Sequence, residues 1–138
     1  MVFMKNILFV CVENSCRSQM AEAFLKKATK CDIQGFSSGS KPSGIVNPMA
    51  IKVLKEKDID ISNADSKGFD QLSVRDFDYI VTMGCKDVCP FVPGKQKIDW
   101  QIPDPKNKDI DFFRTVRDII EKQVQELING MYQGKGSN

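Results

Sequence analysis

Ile7-Leu8-Phe9-Val10 is apolar at every position and runs through Cys11 and Val12 into a polar stretch, Glu13 to Ser18. A strand with no polar face must be covered on both sides, and parallel sheets are the ones buried in that way. Beyond the polar stretch, apolar residues recur at Met20, Ala21, Phe24, Leu25 and Ala28, the spacing of a helix. Lys26, Lys27 and Lys30 fall near its C-terminal end, where the helix dipole favours cations. The chain therefore opens as buried strand, tight loop and helix.

The same unit recurs downstream. Ile33 to Ser37 reads as a second strand, and Ser38 to Gly44 as turns. Asn47-Pro48 is a helix start, because Asn caps free amides and Pro at the first helical position loses no hydrogen bond. Ala50, Ile51 and Leu54 are its expected buried face. Tyr79 to Met83 predicts a third strand, and Ile98-Asp99-Trp100 a fourth. Phe113, Val116, Ile120, Val124, Leu127 and Met131 form one apolar stripe of a long final helix, with Gly130 as a candidate stop. Alternating strands and helices predict an α/β domain whose functional loops lie at the carboxyl ends of the strands.

Composition narrows the chemistry. None of the 138 residues is histidine, which removes Ser-His-Asp and Cys-His catalysis, HExxH proteases and imidazole zinc sites. Twenty basic residues against eighteen acidic ones, interspersed to a net +2, give no footprint for nucleic acid or a membrane surface. The first apolar run is too short for a signal peptide or a bilayer span, so the cytoplasm is the expected compartment. There, five thiols (Cys11, Cys16, Cys31, Cys85 and Cys89) point to catalysis, metal binding or burial rather than to a disulfide framework.

Cys11 sits where the first strand ends, and Arg17 follows six residues later. A strand-to-helix loop turns its backbone N–H groups toward a point beyond the helix N-terminus, where hydrogen bonds and the dipole attract anions. The same field stabilises a thiolate. Val12, Glu13, Asn14, Ser15, Cys16, Arg17 and Ser18 are thus the expected oxyanion cradle, and the Arg17 fork suits two oxygens of a tetrahedral anion while Cys11 attacks its central atom. Ser18 is expected to hydrogen-bond the Cys11 sulfur or cap the helix, and Asn14 to clamp the loop from within. Cys16 either packs or pairs with Cys11.

Cys11-Val12-Glu13-Asn14-Ser15-Cys16-Arg17-Ser18-Gln19-Met20-Ala21-Glu22 resembles the phosphate-binding loop of the low-molecular-weight protein tyrosine phosphatase superfamily, and within it the thioredoxin-coupled arsenate reductases. Asn47-Pro48, Asp58-Ile59-Asp60-Ile61-Ser62, Val81-Thr82-Met83, Cys89-Pro90 and Asp104-Pro105 resemble that branch in order and spacing. The resemblance implies a three-layer sandwich, a four-stranded parallel sheet flanked by helices, spanning residues 1–138 as one domain. It implies reduction of arsenate to arsenite for arsenic detoxification, with no metal or organic cofactor. By the same resemblance Asp104 is the general acid, Cys85 the middle thiol of a relay that starts at Cys11, and Cys89 the last, returned to the dithiol state by thioredoxin. The chain departs from the pattern in four places, the first being the spacing of Cys85 and Cys89, which with three residues between is tighter than in the familiar thioredoxin-coupled members. Glu13 stands where many members have glycine, Lys67 where some have an acidic residue that helps to hold potassium, and Lys106-Asn107-Lys108 where phosphatases carry aromatic residues that frame a phosphotyrosine ring. The potassium ion is accordingly not carried across.

The cysteine pair separates the reductase from a phosphatase that needs only Cys11, Arg17 and Asp104. Residues four apart lie ~6 Å apart in a helix but ~13 Å when extended, and only the former admits a disulfide. Zinc coordination or inert packing are the alternative uses of Cys85 and Cys89, and a non-enzymatic redox-sensing, anion-binding module is a third class of function. The order of the two thiols, and whether thioredoxin or a glutathione/glutaredoxin system reduces them, stay open at this level. Cys31 matches no motif.

Overall fold

The computed structural model describes residues 5–29, 32–84 and 94–137. Its elements run β1 (Lys5–Cys11), α1 (Arg17–Ala28), β2 (Ile33–Gly39), α2 (Pro48–Lys55), a 3₁₀ turn (Phe69–Gln71), β3 (Phe77–Thr82), β4 (Gly94–Asp99) and α3 (Ile110–Ser137). All four strands are parallel, in the order β2-β1-β3-β4. The apolar run 7–10 lies in an interior strand, pairing Cys11 with Gly39 on one side and Val10 with Thr82 on the other. The connection leaves β1 toward β2 and later returns to β3, so the chain reverses direction across the sheet at the carboxyl end of β1. Open α/β sheets bind ligands at such a crevice.

Alternation along β1 assigns its two faces. Ile7, Phe9 and Cys11 join the core built with α1, α2 and α3, whereas Leu8 and Val10 pack with Leu72, Phe77 and Ile80 beneath the 3₁₀ turn. Asn47 caps α2, its side chain accepting from the Met49 amide at 2.9 Å. Val53 rather than Ile51 completes the buried face of that helix. Gly130 does not stop α3, which continues to Ser137. A helical glycine costs about 1 kcal/mol, and Ile128 and Met131, both buried against the core on either side of it, hold the helix in register. Among the described residues no helix is long and apolar enough to cross a membrane.

Candidate active site

The loop between β1 and α1 is held by its carbonyls. Those of Cys11, Val12, Glu13 and Ser15 accept from the amides of Ser40, Lys41, Ser43 and Asn47, and that of Asn14 from the Gln19 side chain. In a trans peptide the N–H points opposite to the preceding C=O. The amides that follow those carbonyls are therefore turned into the loop, the arrangement an oxyanion needs. Gly39 allows the approach, since a Cβ there would stand 2.6 Å from the Val12 carbonyl oxygen. No side chain caps the N-terminus of α1, so its first-turn amides face the same centre.

Asn14 is the clamp, and its hydrogen bonds reach through Ser18 to the Cys11 sulfur. It is fully buried with φ 53°, a left-handed conformation that Asn tolerates better than most residues. Its Oδ1 accepts from Gln19 Nε2 and from the Lys67 amide, both at 2.9 Å, which orients Nδ2 to donate to Ser18 Oγ at 2.7 Å. The Ser18 hydroxyl, held by Asn14, is hydrogen-bonded to the Cys11 sulfur 2.9 Å away. Of its two expected roles, Ser18 takes the first. Gln19 also donates to the Asp65 carbonyl, and Ser66 Oγ to that of Glu13, so residues 65–67 brace the loop from behind.

Cys11, Val12, Glu13, Ser15, Cys16, Arg17, Asp104 and Lys106 line one cavity of about 110 Å³. Drug-sized ligand pockets begin near ~300 Å³, so this one suits a small inorganic anion. Arg17 is buried. Its Nη1 donates to the Ile102 carbonyl at 3.2 Å and its Nη2 lies 3.5 Å from the Asp104 carboxylate, leaving other N–H groups of the fork for an anion. Gly84, at φ 82°, leaves room for that guanidinium, because a Cβ there would come 2.4 Å from Nη1. Burial pushes the Cys16 thiol up to about 11, so it stays protonated at neutral pH, and both Cys11 and Cys16 are free thiols.

The structure thus brings Cys11, the 12–18 loop, Arg17 and Asp104 together. Cys31, Cys85 and Cys89 lie outside the described residues, although Gly84, the residue before Cys85, abuts Arg17. Sequence reasoning missed the bracing by Gln19, Asp65, Ser66 and the Lys67 amide. A polar Gln19 on the inward face of α1 was the available signal. It also missed the ion pair between Glu13 and Lys106, in which contact with Glu13 raises the Lys106 pKa and keeps the ammonium charged.

A strand-to-helix loop bearing a buried cysteine, with an arginine six residues on and an Asp-Pro loop across the cavity, defines an α/β fold with a small anion-sized site at the carboxyl end of β1. The chain belongs to the low molecular weight phosphotyrosine protein phosphatase family, whose model matches residues 6–135. It is 43% identical over 127 residues to arsenate reductase 1 of Staphylococcus haemolyticus, covering 89% of this chain and 94% of that one. It is 39% identical to a glutaredoxin arsenate reductase of Synechocystis, covering 91% and 97%. A solved thioredoxin-dependent arsenate reductase of Corynebacterium glutamicum superposes with a TM-score of 0.77 at 31% identity, over 96% of this chain. This chain spans 64% of that protein's length.

Proposed function

We propose that this protein is an arsenate reductase in which Cys11 is the nucleophile, Arg17 and the amides of residues 12–18 hold the oxyanion, and Asp104 is the general acid. The observation that carries the reading is the 110 Å³ cavity on which Cys11, Arg17 and Asp104 converge. The Cys11 thiolate attacks arsenic, and Asp104 protonates the departing oxygen, which leaves as water. A second thiolate, Cys85, then attacks the Cys11 sulfur; the S–As bond breaks, its electron pair stays on arsenic, and arsenite departs as a Cys11–Cys85 disulfide forms. Cys89 attacks Cys85 and frees Cys11, and an external dithiol returns the Cys85–Cys89 disulfide to thiols.

Thioredoxin is the proposed reductant and the cytoplasm the proposed compartment, where thiols are kept reduced. The whole chain, residues 1–138, acts as one domain and needs no cofactor. The test is arsenate-dependent NADPH oxidation with thioredoxin and its reductase, run beside glutathione, glutaredoxin and glutathione reductase. Turnover with the first set alone supports the full reading. Turnover with the second alone replaces the reductant, and turnover with neither overturns the reductase. The runner-up is phosphatase activity, which would call on Cys11, Arg17 and Asp104, the three side chains that meet at the cavity, and on no further thiol.

A further inference from the structure

Glu13 and Lys106 are 93 residues apart in sequence, yet the Lys106 ammonium donates to the Glu13 carboxylate. A tight turn delivers it: the Lys108 amide donates to the Pro105 carbonyl at 2.9 Å, with Asn107 left-handed at φ 67°. The Lys106 backbone amide donates to Asp104 Oδ1 at 3.0 Å, and Asp104 Oδ2 faces Arg17. A closed ring of contacts therefore runs from the anion loop through Glu13, Lys106, Asp104 and Arg17 back to the loop.

That ring lies at the mouth of the cavity. Of the lining residues, Cys11, Ser15, Cys16 and Arg17 are buried, whereas the side chains of Asp104, Lys106 and Glu13 are 52%, 49% and 32% exposed. In a displacement at a tetrahedral centre the leaving group departs roughly opposite the nucleophile. With Cys11 at the closed end, a departing group passes Asp104 at the open end. For a bare oxyanion it is a water. For a phosphate ester it is an alcohol or phenol, whose carbon skeleton must pass Lys106 and Glu13.

We propose that the Glu13–Lys106 pair is the specificity element of this site: it narrows the mouth against organic phosphate esters, so that they react slowly, admits bare tetrahedral oxyanions freely, and holds the Asp104 loop over them. The proposal rests on the reading of Cys11 as nucleophile in an oxyanion pocket. Lys106 has a second effect, because it offsets a carboxylate that would otherwise repel the bound anion. Glu13 and Lys106 differ in this from Asp104, since neither exchanges a proton with the reacting atoms.

The test compares p-nitrophenyl phosphate hydrolysis with its competitive inhibition by inorganic arsenate. Removing both partners, Glu13→Gly with Lys106→Ala, opens the mouth without changing net charge. The ratio of its aryl-phosphate kcat/KM to its arsenate 1/Ki should rise about tenfold, the ratio cancelling any loosening of the anion loop that both ligands feel. Lys106→Ala alone should raise the arsenate Ki several-fold by uncovering Glu13, and adding Glu13→Gly should lower it again. The exchanged pair, Glu13→Lys with Lys106→Glu, should keep the wild-type ratio of the two constants. An unchanged ratio in the double variant, or an exchanged pair that behaves like it, overturns the proposal. If the wild type reduces no arsenate but the ratio shifts as stated, the reductase falls and the specificity element stands.

Discussion

Replacing Asn14 by alanine removes three hydrogen bonds from a fully buried side chain: those from Gln19 and the Lys67 amide, and the one to Ser18. At about 1 kcal/mol net for each neutral bond, the loss is about 3 kcal/mol. Gln19 keeps the carbonyls of Asn14 and Asp65, so only the Lys67 amide loses its acceptor. The left-handed φ of 53° adds about 1 kcal/mol for a residue with a Cβ and no polar group to satisfy locally. Asn14→Ala should therefore unfold at a urea concentration about 2 M lower, for an m-value of about 2 kcal/mol/M. Asn14→Gly, which adopts this conformation freely, should regain about 1 kcal/mol of the loss. Both should slow the attack by Cys11, since Ser18, which contacts the sulfur, is no longer held by Asn14. Equilibrium urea unfolding checks the stabilities, and a single-turnover burst with an aryl phosphate checks the rate. If both variants unfold together and within about 0.5 kcal/mol of the wild type, the clamp assigned to Asn14 is wrong.

Asp104→Asn should slow the first chemical step by about 10² to 10⁴ in single-turnover measurements while anion affinity holds; an unchanged rate leaves Asp104 a turn residue. Cys85→Ser and Cys89→Ser should both retain aryl-phosphate cleavage and lose arsenate turnover, and Cys89→Ser should release one equivalent of arsenite and trap a Cys11–Cys85 disulfide, visible by peptide mass mapping. Full arsenate turnover in either variant refutes the relay. Arg114 and then Arg117 hold the Glu56 carboxyl down to about 2 from its ordinary 4.5. A depressed folded-state pKa contributes stability above about pH 4.5 that is lost as pH falls toward 2, so Glu56→Gln should flatten that part of the stability curve in urea titrations; parallel curves refute it.

Local signals carried much of this protein. The run Ile7 to Val10 announced a buried parallel strand because a residue without a polar neighbour on either face has only one place in a sheet. Cys11 and Arg17, six residues apart across a strand-to-helix turn, announced an anion loop, and Asn47-Pro48 a helix start, because caps and turns act over a few residues of backbone. Where a weak local preference met the core, the core prevailed: Gly130 lies within α3 because its neighbours Ile128 and Met131 are buried.

The sequence alone left the rest of the site undetermined. Residues 65–67 brace the loop 46 to 53 positions away, Ile102 supplies a carbonyl to an arginine 85 residues earlier, and Glu13 meets Lys106 across 93. None of these pairings has a period or a composition that marks it. Helical and strand repeats are written by the geometry of adjacent peptides, so they show in the order of side chains. Which distant loops share a cavity is decided by strand order, and by glycines such as Gly39 and Gly84 that let two segments close to within van der Waals contact. The sequence by itself therefore determined the fold class and singled out the proposed nucleophile and its arginine; only the tertiary structure decided what holds the loop around the thiol and what stands at the mouth of the site.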